Sequence, residues 1–432
     1  MKVGYIGLGA MGSTLAHRLS ANHQLIVWDI NPSAISALKN SHVSAAQSPV
    51  KVAEQCDIIF LCLPRSMDVA ELMFGSGGMA AALSPGTLII DHTSGLPAET
   101  REISARLKGI GVELIEAAVS GGTSAAQAGT LSIMVCGASQ RYQKALPLLN
   151  SISSNILECG DNVGDAQAVK LLNNLLNAGY RIGTLEAVAL GRKLGFSLAE
   201  ITESMNTSEA RNSTSLYVLR TIVNEQLFPY QATIALMLKD VDQVIQLSMK
   251  CGAPAVLAML VRGLLHIVVS TRGLNAQGSE LIQFFESLTG DCVVDGTGQD
   301  RTASTLTSIC NAVAACNELL TYEMAAIATK YGLNLEAVST VINKSSGCSG
   351  TTERILPALT QGRLTDGTLI EQKVQDLKFT TRLALEYGTP MLMASVTYSI
   401  LNMALHSLDA HSGEDVVGQW YESIAGTKFN NL

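Results

Sequence analysis

Residues 2–29 read KVGYIGLGAMGSTLAHRLSANHQLIVWD, and this stretch decides the fold. β-rich runs at residues 2–6 and 24–28 enclose a segment whose apolar residues recur at helical spacing. Between the first run and the helix stand three glycines, Gly7, Gly9 and Gly12. The order of strand, glycine turn, helix and strand predicts the first βαβ unit of a doubly wound parallel sheet.

Each part of this unit matches one requirement of a dinucleotide site. Gly7 permits the tight turn, Gly9 lets a pyrophosphate approach the backbone, and Gly12 lets the helix pack on the strand. Asp29 ends the second run and is placed to accept hydrogen bonds from a ribose hydroxyl. We predict a dinucleotide site formed by Asp29 and the turn GLGAMG, which includes Ala10 and Met11. The alternative is a glycine-rich turn in a plain α/β domain.

The same acid bears on the choice of cofactor. A 2′-phosphate needs a cation just after the second strand, whereas the sequence there is Asp29-Ile30-Asn31-Pro32. NAD is therefore favoured over NADP.

Further β-rich runs occur at residues 57–63, 87–90 and 113–119, and residues 129–135 read as a turn and an edge strand that closes the domain. Ligands bind outside the carboxyl ends of parallel strands, so the endings of the runs should face the cofactor. These endings are Leu63-Pro64 and Asp91-His92-Thr93-Ser94. His92 is a candidate general base, although a structural role is favoured.

The run at residues 113–119 leads into Ser120-Gly121-Gly122-Thr123. Glycines after a serine expose successive backbone N–H groups, which can form a concavity suited to a carboxylate. An ordinary turn is the alternative.

Residues 164–195 predict a long, mostly buried helix with one polar stripe. The stripe comprises Lys170, Asn173, Asn174, Asn177 and Arg181. It mixes no acids with its bases, so it is unlike a solvent face and should border a cleft. A satisfied stripe in a helix–helix contact is equally compatible with the pattern.

The composition indicates two or three domains with large cores. The chain has 432 residues, of which 47% are hydrophobic and 15% charged. The net charge of −8, with no basic cluster, argues against binding to nucleic acid.

The nine cysteines form no CxxC pair, so we expect buried thiols in a reducing cytosol and no metal site. Because the predicted strand begins at residue 2, we expect no signal peptide. Residues 253–270 are interrupted by Arg262 and His266, so we expect an interface helix there rather than a membrane span.

The helical part of the chain is repeated. Glu186 corresponds to Glu323 and Gly195 to Gly332, since 323 − 186 and 332 − 195 both give 137. After a one-residue deletion in the second copy, FFESLTG at residues 284–290 matches WYESIAG at 420–426, and the offset is then 136. We predict three domains: a Rossmann-like domain at 1–163 and two tandem all-α domains at 164–298 and 299–432. The turn-rich segment 274–302 is the expected linker.

The second copy lacks two charged groups of the first. Lys170 aligns with Thr307 and Lys239 with Gln375, whereas Asn174 and Asp240 persist as Asn311 and Asp376. We therefore expect copy 2 to be structural. Residues 345–350, SSGCSG, are expected to be a connector, with an approach to the cleft as the alternative.

Together the motifs resemble the β-hydroxyacid dehydrogenase family, which includes 3-hydroxyisobutyrate, tartronate semialdehyde and threonate enzymes. The resemblance rests on GLGAMG at 7–12, LP at 63–64, DHTS at 91–94, VSGGTSAAQAGTLSIMV at 119–135, K-x-x-N-N at 170–174 and Lys239-Asp240. It covers about the first 290 residues. The family usually has a glycine at the position of Ala166.

The resemblance implies roles for individual residues. Lys170 would be the catalytic acid/base, Ser120, Gly121 and Gly122 would hold a substrate carboxylate, and Asn174 would orient the substrate. Leu63, Pro64, Thr93, Ser94 and Lys239 would lie near the cofactor. A free lysine has a pKa of about 10.4, so a base at this position would need burial to lower it.

Three other functions remain as alternatives. The layout also resembles 6-phosphogluconate dehydrogenase, but that family has His where this chain has Asn173. An imine reductase usually lacks the lysine, and a non-catalytic NAD-binding protein would not need Lys170 or Lys239. We expect a cytoplasmic monomer or homodimer, with copy 2 in the place of a partner subunit's helical domain, acting on a small carboxylate and binding no nucleic acid or membrane.

Overall fold

The computed structural model describes residues 2–38, 41–137, 139–228, 233–290, 302–363, 368–407 and 415–429. Contacts between Cα atoms divide the chain into two compact units, Met1–Lys170 and Leu171–Leu432.

The N-terminal unit is built on an eight-stranded sheet in the order β3-β2-β1-β4-β5-β6-β7-β8. All neighbours run parallel except β6 and β7. The strands are β1 Val3–Ile6, β2 Leu25–Trp28, β3 Val43–Ala45, β4 Ile58–Leu61, β5 Leu88–Asp91, β6 Glu113–Ser120, β7 Ser132–Cys136 and β8 Asn155–Glu158. The prediction that residues 129–135 form an edge strand is wrong, because β8 pairs with the outer side of β7.

Helices cover both faces of this sheet, so its central strands are continuous apolar runs instead of alternating ones. The helices are α1 Ala10–Ser20, α2 Pro32–Ala37, α3 Pro49–Ala53, α4 Ser66–Phe74, α5 Pro97–Lys108, α6 Gly122–Ala128 and α7 Ser139–Ile152, with a 3₁₀ turn at Met79–Ala82. Strand order reverses between β1 and β4, and the carboxyl ends of β1, β4, β5 and β6 lie at the same edge. That edge is the expected ligand position in such a sheet.

Helix α8, Asp165–Lys193, begins in the N-terminal unit and continues into the second. Its start is fixed by Glu116 on β6, whose carboxylate accepts the N–H of Gly164 at 2.5 Å. Lys170 is the last residue of the first unit, and the leucines beyond it are buried. The long, mostly buried helix predicted at residues 164–195 is therefore present.

The second unit contains the remaining helices of copy 1 and all those of copy 2. Copy 1 continues with α9 Leu198–Asn206, a π-helical segment Thr214–Leu219, α10 Arg220–Glu225, α11 Ile234–Cys251, α12 Val256–Arg272 and α13 Gly278–Thr289. Copy 2 has α14 Ala303–Tyr331, α15 Leu335–Asn343, α16 Gly350–Thr360, α17 Ile370–Tyr387, α18 Leu392–Ser407 and α19 Asp415–Ala425. The boundaries of the long helices repeat to within about one residue of the register of the sequence alignment. Part of the expected linker, residues 274–302, is the helix α13, and its DGTGQD tract lies outside the described residues.

The two copies pack against each other in a reciprocal way. Glu186 of copy 1 accepts the backbone N–H groups of Leu392 and Met393 at the start of α18, each at 2.9 Å. Glu323 of copy 2 accepts the N–H groups of Leu257 and Ala258 at the start of α12, at 3.0 and 2.8 Å. Because Glu186 and Glu323 are aligned positions, copy 2 lies against copy 1 as an equivalent partner would.

Other sequence expectations concern metals, thiols and membrane spans. The eight cysteines in the described part of the chain are free, and no cluster of potential metal ligands occurs there. Among the helices that the structure describes, none is both long and apolar enough to span a bilayer. The expected interface helix is α12, whose inner face is buried.

Candidate active site

The three glycines of the turn after β1 differ in the space around them. Gly7 has a φ of +95°, and a Cβ there would lie 2.3 Å from the carbonyl oxygen of Cys62. A Cβ on Gly12 would lie 2.0 Å from the carbonyl oxygen of Gly7. A Cβ on Gly9, in contrast, would meet nothing within 4 Å. Gly7 and Gly12 are therefore required for close packing. Gly9 instead faces open space at the start of α1, where an anion can approach the backbone.

Asp29 is tied to this turn. Its Oδ2 accepts the N–H of Leu8 at 2.6 Å, and its Oδ1 accepts the N–H of Asn31 at 2.7 Å. The carboxylate is half-buried, and each oxygen keeps a further lone pair. Ile30 follows with 86% of its surface exposed, an apolar side chain beside the acid that the sequence analysis did not single out.

The ends of β4 and β5 are joined by the DHTS segment. Thr93 accepts the N–H of Leu63 through its Oγ1 at 3.1 Å and donates its own N–H to Asp91 at 2.9 Å. Leu63 and Thr93, both predicted near a cofactor, are thus brought together, and the adjoining Pro64 is exposed.

His92 does not have the surroundings of a general base. Its Nδ1 donates to the carbonyl oxygen of Ala117 at 2.5 Å, and its ring stacks on Phe60. Burial lowers the pKa of His92 to about 4. The ring is therefore neutral at physiological pH and fills the core, in line with the structural role favoured from the sequence.

Lys170 lies at the same edge of the sheet. Its ammonium nitrogen donates to the hydroxyl of Ser94, and only 7% of the residue surface is exposed. Burial raises the pKa of Asp91 to about 6, while the charge of Lys170 acts to lower it. At pH 7 Asp91 is therefore mostly ionised and stabilises the positive charge of Lys170.

Gln167 fixes the position of Lys170, and the sequence analysis missed it. Its side-chain nitrogen donates to the carbonyl oxygen of Thr93 at 3.2 Å, and its oxygen accepts from Thr100 at 2.9 Å. It therefore holds the first turn of α8 against the DHTS segment. The only signal in the sequence is its position one turn before Lys170.

The Ser120-Gly121-Gly122 segment joins β6 to α6. Gly121 precedes the helix with a φ of +129°, and Gly122 has a φ of +74° with nothing within 4 Å of the place of a Cβ. Both conformations favour glycine. The backbone is open at this point, and the binding of a carboxylate there stays a prediction.

Polar side chains continue along α8 in the second unit. Asn174, one turn after Lys170, donates to Asp240 of α11 at 2.6 Å. Lys239 is half-buried, with its Nζ 3.5 Å from the other oxygen of Asp240. The aligned pair in copy 2 has the same bond, from Asn311 to Asp376 at 3.0 Å.

The segment 345–350 is more than the connector that the sequence analysis favoured. Gly347 donates its N–H to Asn173 at 2.7 Å, and Ser346 accepts from the Nδ2 of Asn173 at 2.9 Å. Asn177 also donates to the carbonyl oxygen of Ser346, at 3.1 Å. Copy 2 thus contacts the polar stripe of α8.

Family models cover most of the chain. Residues 2–160 match the NAD-binding domain of 6-phosphogluconate dehydrogenase. Residues 164–285 and again 302–420 match a domain described as the NAD-binding domain of NADP-dependent 3-hydroxyisobutyrate dehydrogenase. The chain belongs to the β-hydroxyacid dehydrogenase family. Its helical domain is present twice, as the internal repeat indicated.

Relatives agree with this assignment. A probable mitochondrial 3-hydroxyisobutyrate dehydrogenase of Dictyostelium discoideum is 35% identical over 275 residues, 62% of this chain and 85% of the relative. The human mitochondrial 3-hydroxyisobutyrate dehydrogenase is 36% identical over 210 residues, 48% of this chain and 62% of the human one. An NAD-dependent L-serine dehydrogenase of Pseudomonas aeruginosa is 36% identical over 212 residues, 49% of this chain and 71% of that enzyme.

Solved structures of β-hydroxyacid dehydrogenases show the same architecture. The Mycobacterium tuberculosis 3-hydroxyisobutyrate dehydrogenase, solved with L-serine, has a TM-score of 0.60 and 26% identity to this chain. The match includes 66% of this chain and 98% of the Mycobacterium tuberculosis chain. The Plasmodium falciparum 6-phosphogluconate dehydrogenase covers 98% of this chain and 96% of its own, with a TM-score of 0.71. At 15% identity this second likeness shows the fold alone.

Proposed function

We propose that this β-hydroxyacid dehydrogenase transfers a hydride between NAD and a short β-hydroxyacid of the 3-hydroxyisobutyrate, threonate or tartronate semialdehyde type. Lys170 is the general acid/base. The observation that carries the proposal is the buried Lys170, hydrogen-bonded to Ser94 at the carboxyl edge of the sheet that also bears the glycine turn. Relatives named 3-hydroxyisobutyrate dehydrogenase and L-serine dehydrogenase support the substrate class.

The residues of the glycine turn fit a dinucleotide. The open face of Gly9 suits a pyrophosphate, and Asp29 keeps lone pairs for ribose hydroxyls. A carboxylate at this position repels a 2′-phosphate, which supports NAD over NADP. Leu63, Pro64, Thr93, Ser94 and Lys239 are assigned to the nicotinamide end. When bound, NAD supplies the acceptor for the hydride that leaves the hydroxyl-bearing carbon.

Lys170 exchanges a proton with the substrate oxygen while the hydride is transferred at the carbon that bears this oxygen. In alcohol oxidation its amine accepts the hydroxyl proton, and in carbonyl reduction its ammonium donates one. Ser94 directs the nitrogen, and the ionised Asp91 stabilises the ammonium form. Ser120, Gly121 and Gly122 hold the substrate carboxylate, and Asn174 orients the substrate.

Copy 2 is assigned the place of a partner's helical domain, so the protein is a monomer or a homodimer. The reciprocal hydrogen bonds of Glu186 and Glu323 support this assignment. The domain limits 1–163, 164–298 and 299–432 and a cytoplasmic location belong to the same proposal. Light scattering coupled to gel filtration tests the oligomeric state. A tetramer built through a contact between two first copies would contradict the place assigned to copy 2.

A substrate panel with a lysine variant tests the reaction. Three- to five-carbon hydroxyacids, including 3-hydroxyisobutyrate, L-serine, threonate and glycerate, are assayed for NADH formation. Lys170→Ala is expected to lower kcat by about 10²–10⁴-fold, the contribution typical of general acid–base catalysis. NADH binding, followed by its fluorescence, should be unchanged.

Lys51→Ala is the matched control. Lys51 is an exposed lysine of the same unit, paired only with Glu54 among the described residues, so its loss should leave kcat unchanged. A Lys170→Ala enzyme that keeps more than about a tenth of the wild-type rate would refute the assignment, since one decade corresponds to only about 1.4 kcal/mol.

A further inference from the structure

We propose that Ser346 and Gly347 of copy 2 are positioning residues for the reaction: they orient the amide pair Asn173–Asn174 that follows Lys170 on α8. The proposal rests on the proposed function and adds to it a role for the second copy. It assigns copy 2 a part in substrate orientation, beyond the structural role expected from its missing lysines.

The first step is the fixed orientation of Asn173. This residue has 0% of its surface exposed, so its amide depends on protein partners. The N–H of Gly347 can only donate, and it points at the side-chain oxygen of Asn173 from 2.7 Å. The amide nitrogen must then lie on the other side, where Ser346 Oγ accepts from it at 2.9 Å. The backbone and side chain of copy 2 together set which way the amide faces.

The second step carries this orientation to Asn174. The second hydrogen on the nitrogen of Asn173 is directed to the oxygen of Asn174 at 3.2 Å. The nitrogen of Asn174 donates to Asp240 at 2.6 Å. These two bonds leave Asn174 one amide hydrogen and one oxygen lone pair for a hydroxyacid. A chain of hydrogen bonds therefore runs from Ser346 and Gly347 to the residue assigned to substrate orientation.

The relay is specific to one copy. The residue aligned with Asn173 is Cys310, which contacts Ser204 at 3.3 Å and has no amide to orient. The residue aligned with Ser346 is Glu209. If the contact served only the packing of two equivalent domains, both halves of the repeat would have kept it. Instead, copy 1 supplies the amides and copy 2 supplies their partners.

Gly347 offers a direct way to disturb the relay. A Cβ at this position would lie 2.8 Å from the side-chain oxygen of Asn173 and 3.2 Å from its backbone oxygen. The backbone of Gly347 lacks a positive φ, so alanine is compatible with the chain conformation there. Gly347→Ala therefore acts by displacing the amide of Asn173.

The test measures kcat and KM for 3-hydroxyisobutyrate and L-serine at saturating NAD, and KM for NAD. Ser346→Ala is expected to lower kcat/KM for the hydroxyacid about fivefold to tenfold, the range for one lost hydrogen bond. Gly347→Ala should lower it about tenfold or more. Ser346→Thr, which keeps the hydroxyl, should recover most of the activity. KM for NAD should stay within about twofold of the wild-type value, and the thermal midpoint should stay within about 2 °C of it.

A double-mutant cycle separates positioning from simple destabilisation. In an Asn173→Ala background Ser346→Ala should have no further effect on kcat/KM, because the group through which it acts is gone. The matched control is Ser399→Ala, an exposed serine of copy 2 that bonds only to its own helix among the described contacts. Its kinetic constants should equal those of the wild type.

Two outcomes distinguish this proposal from the proposed function. If Lys170→Ala abolishes turnover while Ser346→Ala and Gly347→Ala behave like Ser399→Ala, the dehydrogenase assignment stands and the role of copy 2 is refuted. If Lys170→Ala leaves turnover intact, the proposed function itself fails. Additive effects of Ser346→Ala and Asn173→Ala, or equal losses for NAD and the hydroxyacid, would also overturn the positioning role.

Discussion

Asp29 combines a structural role with the ligand-binding role that we propose for it. Its two oxygens hold the N–H groups of Leu8 and Asn31, which shapes the glycine turn, and its negative charge faces the position of the adenosine ribose in the proposed complex. A substitution that keeps the shape but removes the charge leaves one acceptor for the turn, and the comparison of two cofactors then isolates the effect of the charge.

Asp29→Asn is expected to lower kcat/KM for NAD about tenfold and to reduce the ratio of NAD to NADP activity. The amide keeps one acceptor oxygen, but it loses the charge-assisted bonds to the ribose hydroxyls and the repulsion of a 2′-phosphate. Steady-state kinetics with both cofactors provide the measurement. Asp242→Asn, which removes an acid paired with Arg262 on the helical unit, should leave the ratio unchanged. An unchanged ratio in Asp29→Asn would contradict the assignment.

At the residue scale, the sequence predicts a contact between two residues more readily when they lie close together along the chain. Gly7, Gly9 and Asp29 lie close together along the chain, so spacing alone indicates their joint role. The contact of Lys170 with Ser94 spans 76 residues, and the sequence did not predict it; the family resemblance only assigns both residues to the same site. The bond from Asn173 to Ser346 spans 173 residues, and no local pattern in SSGCSG indicates it, because it arises from the packing of one helical copy on the other.

At the element scale, the strongest apolar runs were predictable and the weak ones were not. The runs that became β1, β4 and β5 are buried on both faces and stand out in the sequence. β3 has three residues, and β8 has only two apolar residues, Ile156 and Leu157, between Asn155 and Glu158, so neither contrasts with the loops around it. Missing β8 also misplaced β7 at the edge of the sheet. Long helices such as α8 are clear because their apolar pattern extends over many turns.

The helices α12 and α18 share a means of starting. Each begins with backbone N–H groups that no residue of its own copy accepts in the described contacts, and a buried glutamate of the other copy accepts them. Burial raises the pKa of Glu186 to about 8 and that of Glu323 to about 7. Both carboxyls are therefore protonated over part of the range in which an exposed glutamate is ionised.

This linkage predicts a pH-dependent difference between the wild type and Glu186→Gln. Between about pH 4.5 and about pH 8 the folded state binds more protons at Glu186 than the unfolded state, so rising pH lowers the free energy of unfolding of the wild type. Glutamine does not titrate, and it offers one acceptor oxygen in place of two. The wild type should be more stable by about 1–3 kcal/mol near pH 5, and this advantage should shrink toward pH 8.

Urea unfolding of both proteins at several pH values gives this difference directly. Titration of other groups affects both chains alike and cancels in the comparison. An advantage that grows with pH would mean that the carboxyl is ionised in the folded protein, with its pKa lowered by the N–H groups of α18, and would contradict the prediction.

At the scale of the whole molecule, copy 2 is held by more than its covalent connection. Most of α14 is buried, and it packs on α9, α11 and α12 of copy 1. The two glutamate caps and the pairing of Asn212 with Ser349 add polar contacts between aligned positions of the two copies. These contacts resemble those of a permanent dimer, whose buried apolar surface keeps the subunits together at low concentration.

A chain cut between the copies should therefore stay assembled. A specific protease site inserted at residues 291–301 and cleaved under native conditions is expected to give two fragments that co-elute in gel filtration at micromolar concentration and keep at least about half of the activity, as expected for an obligate interface. The uncleaved protein is the control for the insertion. Combining the cut with Glu186→Gln and Glu323→Gln should promote dissociation on dilution, because both caps then lose an acceptor. Fragments that separate without these substitutions would show that the linker, and not the packing of α14, holds copy 2 in place.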